Sequence, residues 1–91
     1  MARLLRTDGT SEASAPVNGR AFTLEEMQSA VGGMVEIINL PSGIVMLVNE
    51  EAQILNLPVN ELATMLWKRE FHLAAATPLL GNALICSVKE L

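Results

Sequence analysis

Residues 34–49 read MVEIINLPSGIVMLVN. The Ile, Val and Leu content favours extended backbone, and Pro41-Ser42-Gly43 favours a tight turn. The segment therefore reads as a β-hairpin, with strands over 34–40 and 44–49. Polar and apolar residues hardly alternate in either strand. A run that stays apolar belongs to a strand covered on both faces. One helix can cover one face, and the other needs the rest of the chain or a second copy.

The preceding stretch, AFTLEEMQSAVGG (21–33), supplies a helix. Thr23 takes the N-cap position and Glu26 falls three residues on, the spacing of a capping box. Phe22 and Met27 occupy the two positions of a hydrophobic staple. Glu25 and Glu26 lie in the first turn, where the helix dipole favours negative charge. Leu24, Met27 and Val31 recur at helical spacing and define an apolar face. Gly32 suits the left-handed position that ends a helix.

On the N-terminal side, ARLLRT (2–7) reads as a strand, and Asp8-Gly9 is a two-residue hairpin turn. TSEASAPVNG then reads as a poor edge strand running into a loop marked by Pro16, Asn18 and Gly19. On the C-terminal side, NEEAQILNLP (49–58) is a connection with one apolar segment. Asn60 caps a second helix, ELATMLWKRE, with Leu62, Met65 and Leu66 as its buried stripe and Lys68 and Arg69 in its last turn. FHLAAATP extends that helix or leaves it as loop, and Pro78 stops it in either case. Gly81-Asn82 turns into a last strand, ALICSV. The expected fold is α+β: a small, mostly antiparallel sheet of four or five strands with two helices packed on one face. Ninety-one residues make a single domain. Its parts are an N-terminal hairpin and polar loop (1–20), a helix-hairpin core (21–49), and a second helix with a last strand (50–91).

The composition is 51% hydrophobic with mean hydropathy +0.37, and Phe22, Trp67 and Phe71 are the only aromatics. A chain this short buries about 60–65% of its unfolded surface. So much aliphatic surface on a small body implies a covering partner, and a homodimer is the simplest. No run approaches the roughly 20 apolar residues of a membrane span. The single cysteine, Cys86, sits in the apolar run NALICSV and reads as a buried, inert thiol. With no disulfide in prospect and no leader segment, the bacterial cytoplasm is the expected compartment.

Net charge is −4, unevenly spread. Residues 21–67 hold six glutamates (Glu25, Glu26, Glu36, Glu50, Glu51 and Glu61) and no Lys or Arg. Arg3, Arg6, Arg20, Lys68, Arg69 and Lys89 all lie outside. Without a basic stripe or an aromatic platform, nucleic-acid binding is disfavoured. The acidic middle either faces a basic partner or keeps a hydrophobic protein soluble.

The order of these motifs resembles a small domain family of phages and bacterial mobile elements, catalogued as a domain of unknown function. The resemblance rests on F-T-L-E-E-M-Q-x-A-V-G-G (Phe22 to Gly33), V-E-I (Val35 to Ile37), L-P-x-G (Leu40 to Gly43), V-N-E-E (Val48 to Glu51), L-P-V-N (Leu57 to Asn60) and G-N-A-L-I-C (Gly81 to Cys86). It spans Leu4 to Val88, with Met34 standing where such domains carry an aromatic after the double glycine. The resemblance implies a phage or prophage setting and supplies no activity. By analogy, small acidic phage proteins without enzyme motifs act as inhibitors or sponges against host defence.

The residues themselves offer little chemistry. One histidine and one cysteine do not make a zinc site, and one Asp does not make a calcium loop. A Ser-His-Asp arrangement would have to use Asp8 and His72, with nothing marking a nucleophile. His72, between Phe71 and Leu73, reads as a partly buried structural imidazole. Glu25-Glu26 are explained by the helix start, and Glu50 and Glu51 point apart on an extended chain. Gly32-Gly33 follow a helix, whereas a phosphate loop leads into one. The expectation is a non-enzymatic accessory protein without cofactor or metal, binding a host protein through Glu36, Glu50, Glu51, Asn56 and Asn60 as a counter-defence inhibitor. A nucleotide sponge is the second reading, with Arg3, Arg6 and Arg20 holding an anionic ligand at a dimer interface. A structural or assembly subunit is the third.

Overall fold

A computed structural model describes residues 2–74 and 77–91. Five strands and two helices follow in the order β1 (Ala2–Leu5), β2 (Ser11–Ser14), α1 (Leu24–Val31), β3 (Val35–Asn39), β4 (Ile44–Asn49), α2 (Glu61–Glu70) and β5 (Ala83–Ser87). A single 3-10 turn over Val88–Glu90 replaces the expected end of the last strand. The strands form one antiparallel sheet in the order β2-β1-β5-β4-β3. The fold class is α+β, as the pattern of elements implies.

The two helices lie on opposite faces of that sheet, not on one. Successive side chains of a strand point to opposite faces, and β4 is buried on both. Val45 and Leu47 pack with Leu84 and Cys86 of β5 and with Phe22, Met27 and Val31 around α1. Met46 and Val48 pack with Ala83 and Ile85 of β5 and with Ala63, Leu66 and Trp67 of α2. The apolar continuity of β4 is thus answered within the chain, one helix to each side. The connections explain the arrangement. The segment carrying α1 runs from the β2 edge of the sheet to the β3 edge across one face, and α2 links β4 to its neighbour β5 across the other.

Local chemistry starts and stops the helices where the sequence indicates. The Thr23 hydroxyl accepts from the Glu26 N–H at 3.1 Å, and the Glu26 carboxylate accepts from the Thr23 N–H at 2.8 Å. Gly32 closes α1 with φ 79°, its N–H donating to the Gln28 carbonyl at 2.8 Å. Leu24 does not join the apolar face, being 60% exposed. In α2 the expected stripe is displaced. Ala63 is fully buried while Met65 is 64% exposed. At about 100° per residue, Ala63 and Trp67 share the inward side and Met65 points nearly opposite. Phe71 to Ala74 leave the helix as a turn, so the helical alternative fails there, and Ala75 and Ala76 lie outside the described residues. His72 is exposed with φ 54°, not partly buried.

Candidate functional site

A cleft of about 340 Å³ opens on the α2 face, between the β3–β4 hairpin and the helix. Ile38 and Val48 rise from the sheet to form its floor. Ala52, Gln53 and Ile54 form one wall, and Trp67, Pro78 and Leu79 the other. The charged residues among its lining are Glu36 and Glu50, both negative.

Each wall is held by hydrogen bonds that end on a buried asparagine. Asn49 accepts from the Glu51 N–H at 2.8 Å, bending the chain into the turn that carries Gln53 and Ile54. Its amide also donates to the Val31 carbonyl at 3.1 Å, tying that turn to the end of α1. Asn60 caps α2 by accepting from the Ala63 N–H at 3.0 Å. The same amide donates to the carbonyls of Leu5 and Gly81, each at 2.9 Å. The Asn60 N–H donates to the Leu79 carbonyl, and the Leu79 N–H donates to the Thr64 hydroxyl at 2.9 Å. These bonds fix the Pro78–Leu79 wall to the first turn of α2. At the other end of the helix, the Glu70 carboxylate accepts from the Ser42 N–H at 3.0 Å, pinning α2 across the hairpin turn. Trp67 is steadied by an edge-on contact with Phe71, ring centroids 6.4 Å apart.

The expected partner-binding residues fall into two groups. Glu36 and Glu50, fourteen positions apart in sequence, meet at the cleft. Glu51 and Asn56 are exposed beside it and do not line it. Asn56 holds a left-handed turn position, φ 56°. Asn60 is 0% exposed with its amide committed on both sides, so it has no surface for a partner. Its role is architectural because the carbonyls it serves are cut off from water.

The three arginines are not gathered. Arg3 lies opposite Ile85, on the α2 side of the sheet, where its guanidinium donates to the Ser11 hydroxyl at 3.0 Å. Arg6 lines a cleft on the α1 side and is ion-paired with Glu12. Arg20 sits in the exposed loop before α1, where Asn18 accepts from its backbone N–H. An anion clamp needs convergent donors, and these point to separate regions.

The residues considered for catalysis are likewise dispersed. Asp8 sits in the first hairpin turn, held below the usual carboxylate range by the hydroxyl and N–H of Thr10. Burial pushes the Cys86 thiol up to about 11. No group of three or more metal-ligating side chains occurs among the described residues. No described helix is long and apolar enough to cross a membrane.

Sequence reasoning missed Trp67 as a site residue. Its signal was the Ala63–Trp67 spacing of four, which puts a large ring one turn from a small residue on the inward side. No curated protein and no solved structure matches the chain. A family model described as a domain of unknown function (DUF3846) matches residues 3–90, and the chain belongs to that family.

Proposed function

We propose that this protein is a non-enzymatic accessory protein of a phage or mobile element that binds a host protein in the bacterial cytoplasm, as an inhibitor of host defence. The α2-face cleft is its binding site, and it takes a basic, partly apolar segment of the partner. The observation that carries this reading is the cleft itself, whose apolar floor and indole wall are rimmed by Glu36 and Glu50 with no opposing base among the lining. A lysine or arginine stem packs on apolar surface while its head meets carboxylate, and an indole adds cation–π attraction. The dispersal of Arg3, Arg6 and Arg20 weighs against the nucleotide-sponge reading. The counter-defence role rests on the setting implied by the motif order.

Host-lysate capture on the immobilised chain tests the site. The wild type should retain a protein at low salt and release it as ionic strength rises. Glu36→Lys with Glu50→Lys should abolish retention, while Glu51→Lys, the same charge change outside the cleft, should reduce it little. Equal retention by the double variant and the wild type would remove the cleft from the account.

A further inference from the structure

β3 ends the sheet, and among the described residues no strand pairs with its far side. Its hydrogen-bonding polarity follows from two bonds at the hairpin. The Leu40 N–H donates to the Ile44 carbonyl, and the Glu50 N–H donates to the Met34 carbonyl. Alternation along the strand then points the N–H and C=O of Glu36 and Ile38 toward β4, and those of Val35, Ile37 and Asn39 outward. The outward set is on a strand with no Lys, Arg or Pro within it, and Ile37 is 49% exposed. Sheet edges are ordinarily blunted by such residues. The opposite edge, β2, is shorter and has no large apolar residue: its sequence is SEAS, with Glu12 paired to Arg6.

We infer that β3 pairs antiparallel with β3 of a second copy, about a two-fold axis at Ile37, joining two sheets into one. The register is selected by the sequence of the strand. With the axis at Ile37, Val35 meets Asn39 and Ile37 meets Ile37, all outward-facing residues. Each such pair exchanges two bonds, giving about six in all. Glu36 then lies opposite Ile38 of the second copy, so no like charges face. Moving the axis to Glu36 stacks that carboxylate on itself. Moving it to Ile38 sends Val35 to Pro41, which has no N–H to give. The occupant is a second copy because this edge complements itself in both charge and hydrogen bonding. The pairing shares Glu36 and Ile38 with the cleft, but Ile37 does not line the cleft and Glu50 is off the edge, so variants at these two positions let the two readings fail separately.

Sedimentation equilibrium on the full chain should give twice 9.8 kDa at high concentration and dissociation on dilution. Ile37→Lys places two ammonium groups at the axis and should raise the dissociation constant at least about tenfold. Ile37→Pro should do the same, since the N–H it removes faces away from β4. The deciding pair is a cysteine scan. In a hydrogen-bonded antiparallel pair the Cα atoms are about 5.5 Å apart, within disulfide reach. Ile37→Cys should oxidise to a covalent dimer, and Met65→Cys, exposed on α2, should not. A wild-type monomer at all concentrations, a dimer indifferent to Ile37→Lys, or cross-linking through Met65→Cys in place of Ile37→Cys would each overturn the assignment.

Discussion

Asn60→Ala would remove a buried donor from the carbonyls of Leu5 and Gly81 and uncap α2 in one step. Loss of the cap costs about 1 kcal/mol, and each lost buried hydrogen bond adds about 1 kcal/mol. Urea denaturation should therefore show a loss of about 3 kcal/mol or more. Asn60→Asp is the informative companion. Aspartate caps helices as well as asparagine does, but here it would aim a carboxylate at the carbonyls of Leu5 and Gly81, so it should not rescue. The sequence made the cap legible, because Asn60 directly precedes a helical pattern. The carbonyls were not legible, because they lie 55 and 21 residues away and only the folded chain brings them in. Gly81 shows the same limit. Its φ is +82°, and a Cβ there would sit 2.8 Å from Leu57 Cδ1. Gly81→Ala should cost about 1–2 kcal/mol from backbone strain alone, more if Leu57 does not yield. Cys86, by contrast, was readable from its apolar neighbours. With its thiol raised to about 11, it should resist alkylation at pH 8 in the native protein and react once urea unfolds it.

At the scale of elements, α1 was the most legible piece, since start, staple and stop are all local. Thr23→Ala should cost about 1 kcal/mol. Glu26 adds a pH-dependent contribution of its own. Its carboxylate accepts from the N–H groups of Thr23 and Val17, which hold it below the ordinary value of 4.5. The folded chain thus binds this proton less readily than the unfolded chain. Its stabilisation is complete above pH 4.5 and fades as the pH falls through the lowered folded value. Thermal melts of wild type and Glu26→Gln should converge in acid and separate at neutrality. The second helix was legible in extent and not in orientation. Apolar residues spread around most of its circumference, so periodicity alone did not choose between the Met65 side and the Trp67 side. Met65→Ser should change stability by less than about 0.5 kcal/mol, whereas Trp67→Ala should cost about 2 kcal/mol by opening the half-buried wall of the cleft.

For the molecule as a whole, the hairpin announced coverage on both faces, and the fold supplies it for β4 but not for β3, where Glu36, Ile37 and Asn39 stay exposed. The side each helix takes was not readable, because it depends on which strands the connections join. The charge map changes meaning for a similar reason. Six glutamates with no base between them in the sequence suggest one acidic face, yet Glu25 and Glu26 lie with α1 on one side of the sheet and Glu36 on the other. Glu36 and Glu50 alone converge, which is why the cleft and not the acidic middle carries the proposed function.

The strand order has a consequence for how the chain is made. β5 lies between β1 and β4, yet it is the last of the five strands to be synthesised. β1 with β2, and β3 with β4, are local hairpins that form as they emerge. Neither hairpin is joined to the other in the sheet until residues 83–87 arrive to bridge them. At about 5–20 residues per second, β4 waits a few seconds on the ribosome with one edge and much of its apolar surface open. Nascent-chain complexes stalled before Ala83 should thus be protease-sensitive and chaperone-bound, and those stalled well past Leu91 should be resistant. The centre of this protein is assembled last.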